Sequence, residues 1–290
     1  MNYSILVIVN SSLRKRVCLN LENYFISLFN SKSIGDDAAC IGKYIYSKDA
    51  FFENVHFKKE WISYKDIAKR AMLVNISDAI AMNAKPLYAL LAIAMPKSIT
   101  KKEMESLVLG FQEVAKEYNV EIIGGDTISN TKLDITVTII SYTEKPLFRK
   151  GLREKYLLAY TGELGKSAKE LQKLLKGFSI HKKSKFIDIQ LRQKFITLSA
   201  PFLKCGMDIS DGLFSDLQKL TLINKKGVRF FSKIPKSIGC SGEEYEMLIA
   251  FDPRHKKAIM RRAKQSRTKL NIFGVAVRNR YTNRCKAHHF

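Results

Sequence analysis

Cysteine is scarce and never paired. Five thiols (Cys18, Cys40, Cys205, Cys240 and Cys285) stand singly in 290 residues with no CxxC, which excludes a legible disulfide framework, and the thiols are expected to be reduced. Proline occurs only six times and tryptophan once, and no tract is of low complexity, so fibrous and disordered classes are excluded as well. Long apolar runs are also missing. The stretches Tyr3 to Val9 and Leu87 to Met95 fall short of the roughly 20 residues that span a bilayer. The first also lacks the basic segment that precedes the apolar part of a signal peptide. No membrane partner is expected, and the chain is assigned to the cytoplasm. Acid is the last shortage: 27 Asp+Glu face 50 Lys+Arg, for a net charge of +23.

Such a charge raises the possibility of nucleic-acid binding, since Lys and Arg gain affinity by releasing counterions from phosphates. Residues 253–290 carry twelve Lys+Arg and no acid. That segment has few aromatics and no recognisable nucleic-acid motif, so a solvated helix face, or a basic surface around an anionic small-molecule site, explains it better than an RNA-binding protein does. At 46% hydrophobic residues and this length, two domains with cores of their own are expected.

Along the chain, Ser63 with Asp66 opens a helix that ends near "NAKP". "LYALLAIAM" then reads as a strand buried on both faces. Thr100 and Glu103 form a capping box for a second helix, whose Met104, Leu107, Val108, Phe111, Val114, Ala115 and Tyr118 recur at helical spacing as a core stripe. "VEIIGGDT" and the alternating "LDITVTII" read as two strands joined through a glycine-aspartate loop. After the charged connection "TEKPLFRKGLREK" the pattern restarts with "YLLAYTG" as strand, "GKSAKELQKLL" as helix, and "GMDISDGLFSDLQKL" as an acidic turn opening another helix. A boundary near residue 145 divides the chain into 1–145 and 146–290. The class is α+β, a mixed α/β fold.

Two motifs mislead. "TGELGKS" contains Gly-Lys-Ser at a strand-to-helix turn, but a phosphate-binding P-loop needs a glycine at position 160, which is Tyr160. Cys285 and His288 have a metal-like spacing but no second pair to complete a tetrahedral site. The stronger constellation is acidic: Asp36 and Asp37 in "GDDAA", Asp49 in "YSKDA", Asp78 in "NISDA", Asp126 in "GGDT", and Asp208 with Asp211 in "DISDG". Taken singly, each also fits a helix cap or a turn. Taken together, they sit beside small residues at the edges of apolar segments. If the fold brings several within about 4 Å, each like-charge pair costs roughly 4 kcal/mol at an effective dielectric near 20. Hard divalent cations with oxygen ligands relieve such crowding, and Mg²⁺ shared between carboxylates and substrate phosphates is the usual arrangement in phosphoryl transfer.

The segments "GDDAA", "FFENVHF", "AMLVNISDAIAMNAKPLYALLAIAMP", "IIGGDT", "YTGELGKSA", "DISDGL" and "SGEEYEMLIA" also carry a resemblance. Their order and spacing are similar to those of thiamine-monophosphate kinases, within the ATP-binding superfamily that includes aminoimidazole ribonucleotide synthetase. The resemblance runs from about Leu21 to near the C-terminus. It implies an ATP- and Mg²⁺-dependent kinase that phosphorylates thiamine monophosphate to thiamine diphosphate. It further implies a homodimer in which the mixed N-terminal sheets, with helices on one face, join into a barrel, 1–145 being the ATP- and Mg-binding and dimerisation domain and 146–290 an α/β domain. By matching positions, Asp37, Ser47, Asp49, Asp78, Asp126, Asp208 and Asp211 would serve Mg²⁺. Gly125, Asp126, Arg149 and Ser210 would meet ATP, Asp126, Arg149 and Asp211 would act in catalysis, and His56 and Glu243 would face the thiamine substrate. Lys48, Asn54, "KGLREK" after Arg149, the short stretch between Gly177 and Gly206, and Ala287 depart from the family pattern. Alternatives that remain are another ATP-dependent synthetase of the superfamily, an inactive relative, and the basic RNA-binding protein.

Overall fold

The computed structural model describes residues 21–31, 33–283 and 285. Cys18, Ala287, His288 and the first 18 residues lie outside them. A short helix, α1 (Leu21–Ser27), belongs to a small separate unit. Everything below concerns the unit from Ser33 to His288.

The first half builds one sheet. Its elements are β1 (Ala39–Ile41), β2 (Tyr44–Phe52), α2 (Tyr64–Ala81), β3 (Lys85–Pro96), α3 (Lys101–Tyr118), β4 (Glu121–Asn130) and β5 (Asp134–Tyr142). The strand order is β1-β2-β5-β3-β4. Neighbours run antiparallel except β3 and β4, which are parallel with α3 as their crossover. Both helix starts follow their side chains. The Ser63 hydroxyl accepts from the Asp66 amide, and at Thr100 both halves of the capping box are formed with Glu103, satisfying amides that a helix leaves unpaired. α3 ends at Asn119, whose φ of 53° is the left-handed turn that asparagine tolerates.

Three expectations need correction. β3 is covered on one face only: Tyr88 and Leu90 are exposed while Ala89 between them is buried, because α2 and α3 pack on a single side of the sheet. Gly124-Gly125-Asp126 lies inside β4, paired with β3 across a register shift, and is not a loop; β4 and β5 are separated in the sheet by β3. In α3, Leu107, Phe111 and Val114 are core, whereas Met104 and Val108 face solvent.

The second half builds another sheet, from β6 (Leu157–Thr161), α4 (Lys166–Leu175), α5 (Gln193–Ser199), β7 (Leu203–Ile209), α6 (Leu213–Ile223), β8 (Gly227–Phe230), α7 (Lys236–Gly239), β9 (Glu246–Phe251), α8 (Lys256–Gln265) and β10 (Leu270–Val277). Its order is β7-β9-β6-β10-β8, antiparallel throughout. The molecule is a mixed α/β fold with two sheets. α2 is its spine. Nearly every side chain from Ile67 to Ala81 is buried, and the apolar ones join a core that runs from Ile45, Phe51, Ile135 and Val137 to Phe195, Ile249 and Phe251. A helix buried around so much of its circumference is packed by neighbours on several sides. Leu213, Leu217 and Leu220 of α6 form a second cluster with Met207 and Phe273.

The thiols also depart from expectation. Cys240 and Cys285 form a disulfide, with Cα atoms 5.6 Å apart and a sequence separation of 45, whereas Cys40 and Cys205 are free. Single, unpaired placement in the sequence hid a pair that only the fold brings together. Closing a loop of that length stabilises by about 4 kcal/mol in the chain-entropy model. In protein unfolded without reductant, Cys40 and Cys205 should therefore alkylate while Cys240 and Cys285 stay protected. Cys285→Ser should lower unfolding stability by about 2–4 kcal/mol in chemical denaturation.

Candidate functional site

Three acids from three separate segments, Asp208 buried and Asp37 and Asp78 half-buried, meet at one point. Asp37 comes from the turn before β1, Asp78 from the C-terminal half of α2, and Asp208 from the end of β7. Each offers a carboxylate oxygen, and these atoms all lie within 4.8 Å of one another. At that distance each pair of ionised carboxylates costs roughly 3–4 kcal/mol at an effective dielectric near 20. Some relief is in place. Arg149 donates from Nη2 (2.6 Å) and Nε (3.2 Å) to Asp37 Oδ1, and Ser77, beside Asp78 on α2, donates its hydroxyl to Asp208 Oδ2 at 2.7 Å. The backbone N–H of Arg149 donates to Asp36 Oδ1 at 2.6 Å, so Asp36 places the arginine and does not enter the cluster.

One guanidinium does not balance three carboxylates, and their ionisation shows it. Burial, and then the charges of Asp49, Asp208 and Asp37, push Asp78 well above the usual carboxylate range. Burial, then Asp37, pushes Asp208 up likewise, and burial raises Asp37 against the pull of Arg149. Asp49 on β2 adjoins the group: burial and then the charge of Glu243 push it to about 6, against a lowering contribution from Asp78 beside it. The donor set, all hard oxygen and in excess of positive charge, fits a divalent cation such as Mg²⁺.

The other expected residues are spread around this centre. Ser47 is buried and donates to the Asn75 carbonyl at 3.0 Å, while the Asn75 side chain accepts from the Asp49 amide at 2.8 Å; together these pin β2 to α2 and aim Asp49. Lys48 alternates to the open face of the sheet and donates to Thr136 and Thr138, away from the acids. Asp126 does not join the trio: it lies on the exposed edge strand β4 and accepts from the Thr127 amide. Gly125 has a structural reason of its own, since a Cβ there would lie 1.6 Å from the Leu91 carbonyl oxygen. Asp211 accepts from Lys219 at 2.5 Å, and its amide donates to Asp216. Ser210 accepts through its carbonyl from the Glu243 amide at 2.7 Å. His56 is half-buried and stacks on Phe51, and its Nδ1 accepts from the Phe52 amide, which places the proton of the neutral ring on Nε2. Asn54 has φ 67°, the conformation that a glycine at that position would adopt freely and that asparagine also tolerates.

Sequence reading missed Asp216 and Arg70. Both are fully buried. Asp216, in the first turn of α6, is pushed to about 7 by burial and pairs with Lys219 at 3.1 Å. Arg70 pairs with Glu243 at 2.5 Å. A signal for Arg70 existed: it falls on the apolar stripe of α2, between Ile67 and Ala71. The basic residues of α8 face the other way, with Lys256, Lys257, Arg261 and Lys264 exposed and Ile259 and Ala263 buried, as a solvated helix face requires.

The crowded acids fix the sign of the pH dependence. A carboxyl whose folded-state pKa is raised binds its proton more tightly when folded, so stability is greatest at low pH and declines as pH rises from the unfolded value through the folded one. For Asp49, between 3.8 and about 6, the loss is roughly 3 kcal/mol. Metal-free protein should therefore lose thermal stability from pH 4 to 7, and Asp78→Asn should flatten that decline in calorimetry.

The comparisons with known proteins agree in direction. Residues 35–143 match the family model "AIR synthase related protein, N-terminal domain". A protein of Leptospira interrogans named thiamine-monophosphate kinase is 31% identical over 227 residues, covering 71% of this chain and 74% of its own length. A solved structure described as "AaThiL complexed with AMPPCP and TMP" superposes with a TM-score of 0.81 at 22% identity, covering 90% of this chain and 91% of that one. The fold is shared more widely. A HypE–HypF complex chain superposes with a TM-score of 0.77 at 17% identity, covering 92% of this chain and 98% of its own. No described helix is long and apolar enough to cross a membrane. With a relative named for this activity aligned over about three-quarters of its own length, the chain belongs to the thiamine-monophosphate kinase family.

Proposed function

We propose that the protein transfers the γ-phosphoryl group of ATP directly, in line, onto the phosphate of thiamine monophosphate, giving thiamine diphosphate, in a Mg²⁺-dependent reaction in the cytoplasm. The observation that carries this reading is the convergence of Asp37, Asp78 and Asp208 within 4.8 Å, with the Arg149 guanidinium on Asp37 as the cation that meets the trio. In this assignment Asp37, Asp78 and Asp208 hold Mg²⁺ with Asp49, and Ser47, Asp126 and Asp211, which stand outside the trio, are assigned further contacts to Mg²⁺. When bound, Mg²⁺ supplies positive charge that neutralises the crowded phosphates of two anionic substrates.

The remaining chemistry belongs to the chain. The acceptor is a phosphate oxygen already ionised at neutral pH, so no strong general base is required, and alignment is the main task. Arg149, held by Asp36 through its amide and by Asp37 through its guanidinium, steadies charge on the transferring group. Gly125, Asp126 and Ser210 meet the nucleotide. His56 and Glu243 face the thiamine. Residues 1–145 act as the nucleotide- and dimer-forming half and 146–290 as the second domain. The homodimer is supported by the uncovered face of the first sheet, where Tyr46, Ile140 and Tyr88 share one register row and Leu90 lies in the next. A second copy would cover this apolar row, with Lys48 held by Thr136 and Thr138 in the polar row beside it.

Purified protein given ATP, Mg²⁺ and thiamine monophosphate should form thiamine diphosphate, and chelation should stop it. Asp37→Ala and Asp78→Ala should each reduce turnover by at least ~10³-fold while leaving a cooperative melt. Full activity in either folded variant would remove the metal-cluster mechanism. ATP turnover without thiamine diphosphate would move the acceptor to another substrate of this fold. Salt-sensitive RNA binding without nucleotide turnover would replace the reading altogether. In sedimentation velocity the wild type should be a dimer and Leu90→Asp a monomer; a monomeric wild type at micromolar concentration overturns the dimer.

A further inference from the structure

Arg70 is a fully buried guanidinium, and the phosphoryl-transfer chemistry gives it no task. It is 0% exposed, on a helix whose other buried positions are uncharged. Its Nη2 donates to Glu243 Oε2 at 2.5 Å, and among the described residues its Nε and Nη1 have no hydrogen-bond partner. The guanidinium lies 4.2 Å above the Phe186 ring and 5.6 Å from that of Phe51, and Phe51 in turn stacks on His56. Cation–π contact and one ion pair offset part of the desolvation of a buried guanidinium, not all of it. An apolar residue of similar volume would fill the place at less cost to stability.

What an apolar residue could not do is hold Glu243. That residue is fixed from three directions. Its amide donates to the Ser210 carbonyl at 2.7 Å, its carbonyl accepts from the Ser167 hydroxyl at 2.8 Å, and its carboxylate is gripped by Arg70. The backbone there is strained, with φ 58° at Glu243 and 50° at Tyr245, which persists only where surrounding contacts over-determine it. The side chain is still 29% exposed, and its charge raises Asp49 at the edge of the acidic centre. Glu243 is therefore partly open to solvent, with one oxygen occupied by Arg70.

We propose that Arg70 is a positioning residue for the acceptor. By occupying Oε2 with a rigid, planar donor it aims Oε1 of Glu243 at an N–H donor or cationic ring of the substrate, the chemistry of an aminopyrimidine or thiazolium group. Lysine cannot substitute fully, because its ammonium lacks the planar fork that sets direction. This inference rests on the thiamine monophosphate reading of the same site.

The test is steady-state kinetics with each substrate varied separately. Wild type comes first: if it forms no thiamine diphosphate, the functional reading fails and Arg70 is not the reason. Given activity, Arg70→Met should raise KM for thiamine monophosphate ~10-fold or more, with kcat within about 3-fold and KM for ATP within about 2-fold. Arg70→Lys should fall between the two. If Arg70→Met does not melt cooperatively, Arg70→Lys decides, with an expected rise of at least ~3-fold in the acceptor KM alone. An acceptor KM within about 2-fold of wild type in the deciding variant overturns the proposal. So does a parallel rise in KM for ATP, which would mark a structural ion pair.

Discussion

Repulsion among crowded carboxylates is the constraint around which the rest of the molecule is arranged. Asp37, Asp78 and Asp208 come from a turn, a helix and a strand end that are far apart in sequence, and their oxygens lie within 4.8 Å. Hydrophobic packing does not prefer that outcome: three ionised acids in one place oppose folding by several kcal/mol. The surrounding structure must hold them there. The Ser77 hydroxyl on Asp208 and the Arg149 guanidinium on Asp37 are the visible restraints, and burial raises all three pKa values in the same direction. A chain with so large an excess of base could have placed lysines there and did not.

α2 makes this possible because it is packed on several sides. A helix buried on one stripe could rotate by some tens of degrees to separate Asp78 from its neighbours. One whose Ile67, Met72, Ile76 and Ile80 are all buried, with the first sheet and α3 on some sides and β7 and α5 on others, has no such freedom. Asn75 adds a polar clip, meeting the Ser47 hydroxyl with its carbonyl and the Asp49 amide with its side chain. Apolar packing, established along the length of the helix, thus fixes the position of charges that would otherwise move apart.

Much of this was legible from residue order, and the part that was not has physical causes. Both long helices were readable because Ser63, Thr100 and Glu103 are capping side chains acting within one turn of their own position. The acids stood out because each borders an apolar segment and lies beside small residues. Which of them converge was not readable. Asp126 carries the same local signature as Asp37, yet it lies on an exposed edge strand, and only the sheet order separates the two. The open face of β3 escaped notice because an apolar run looks alike whether one or both of its faces are covered within the chain. Cys240 and Cys285, and likewise Arg70 and Glu243, are pairs of residues distant in sequence whose meeting is a property of the tertiary fold alone.

The loop from Cys240 to Tyr245 shows how the two halves of the molecule are made to depend on each other. The disulfide fixes its start. Glu244 accepts from the Ser241 hydroxyl and from the Gly165 amide and pairs with Lys185 at 3.0 Å. Glu246 takes Arg192 and Thr161. Between these anchors the Glu243 carboxylate meets Arg70 of α2, in the first half. The same helix carries Asp78 two turns further on. A displacement of α2 along its axis would therefore disturb the acidic centre and the Glu243 carboxylate together, so the groups assigned to metal and to acceptor share one rigid support. Two reacting phosphates must be aligned to within fractions of an ångström, and a single buried helix holding both binding poles meets that requirement better than two independently mobile loops could.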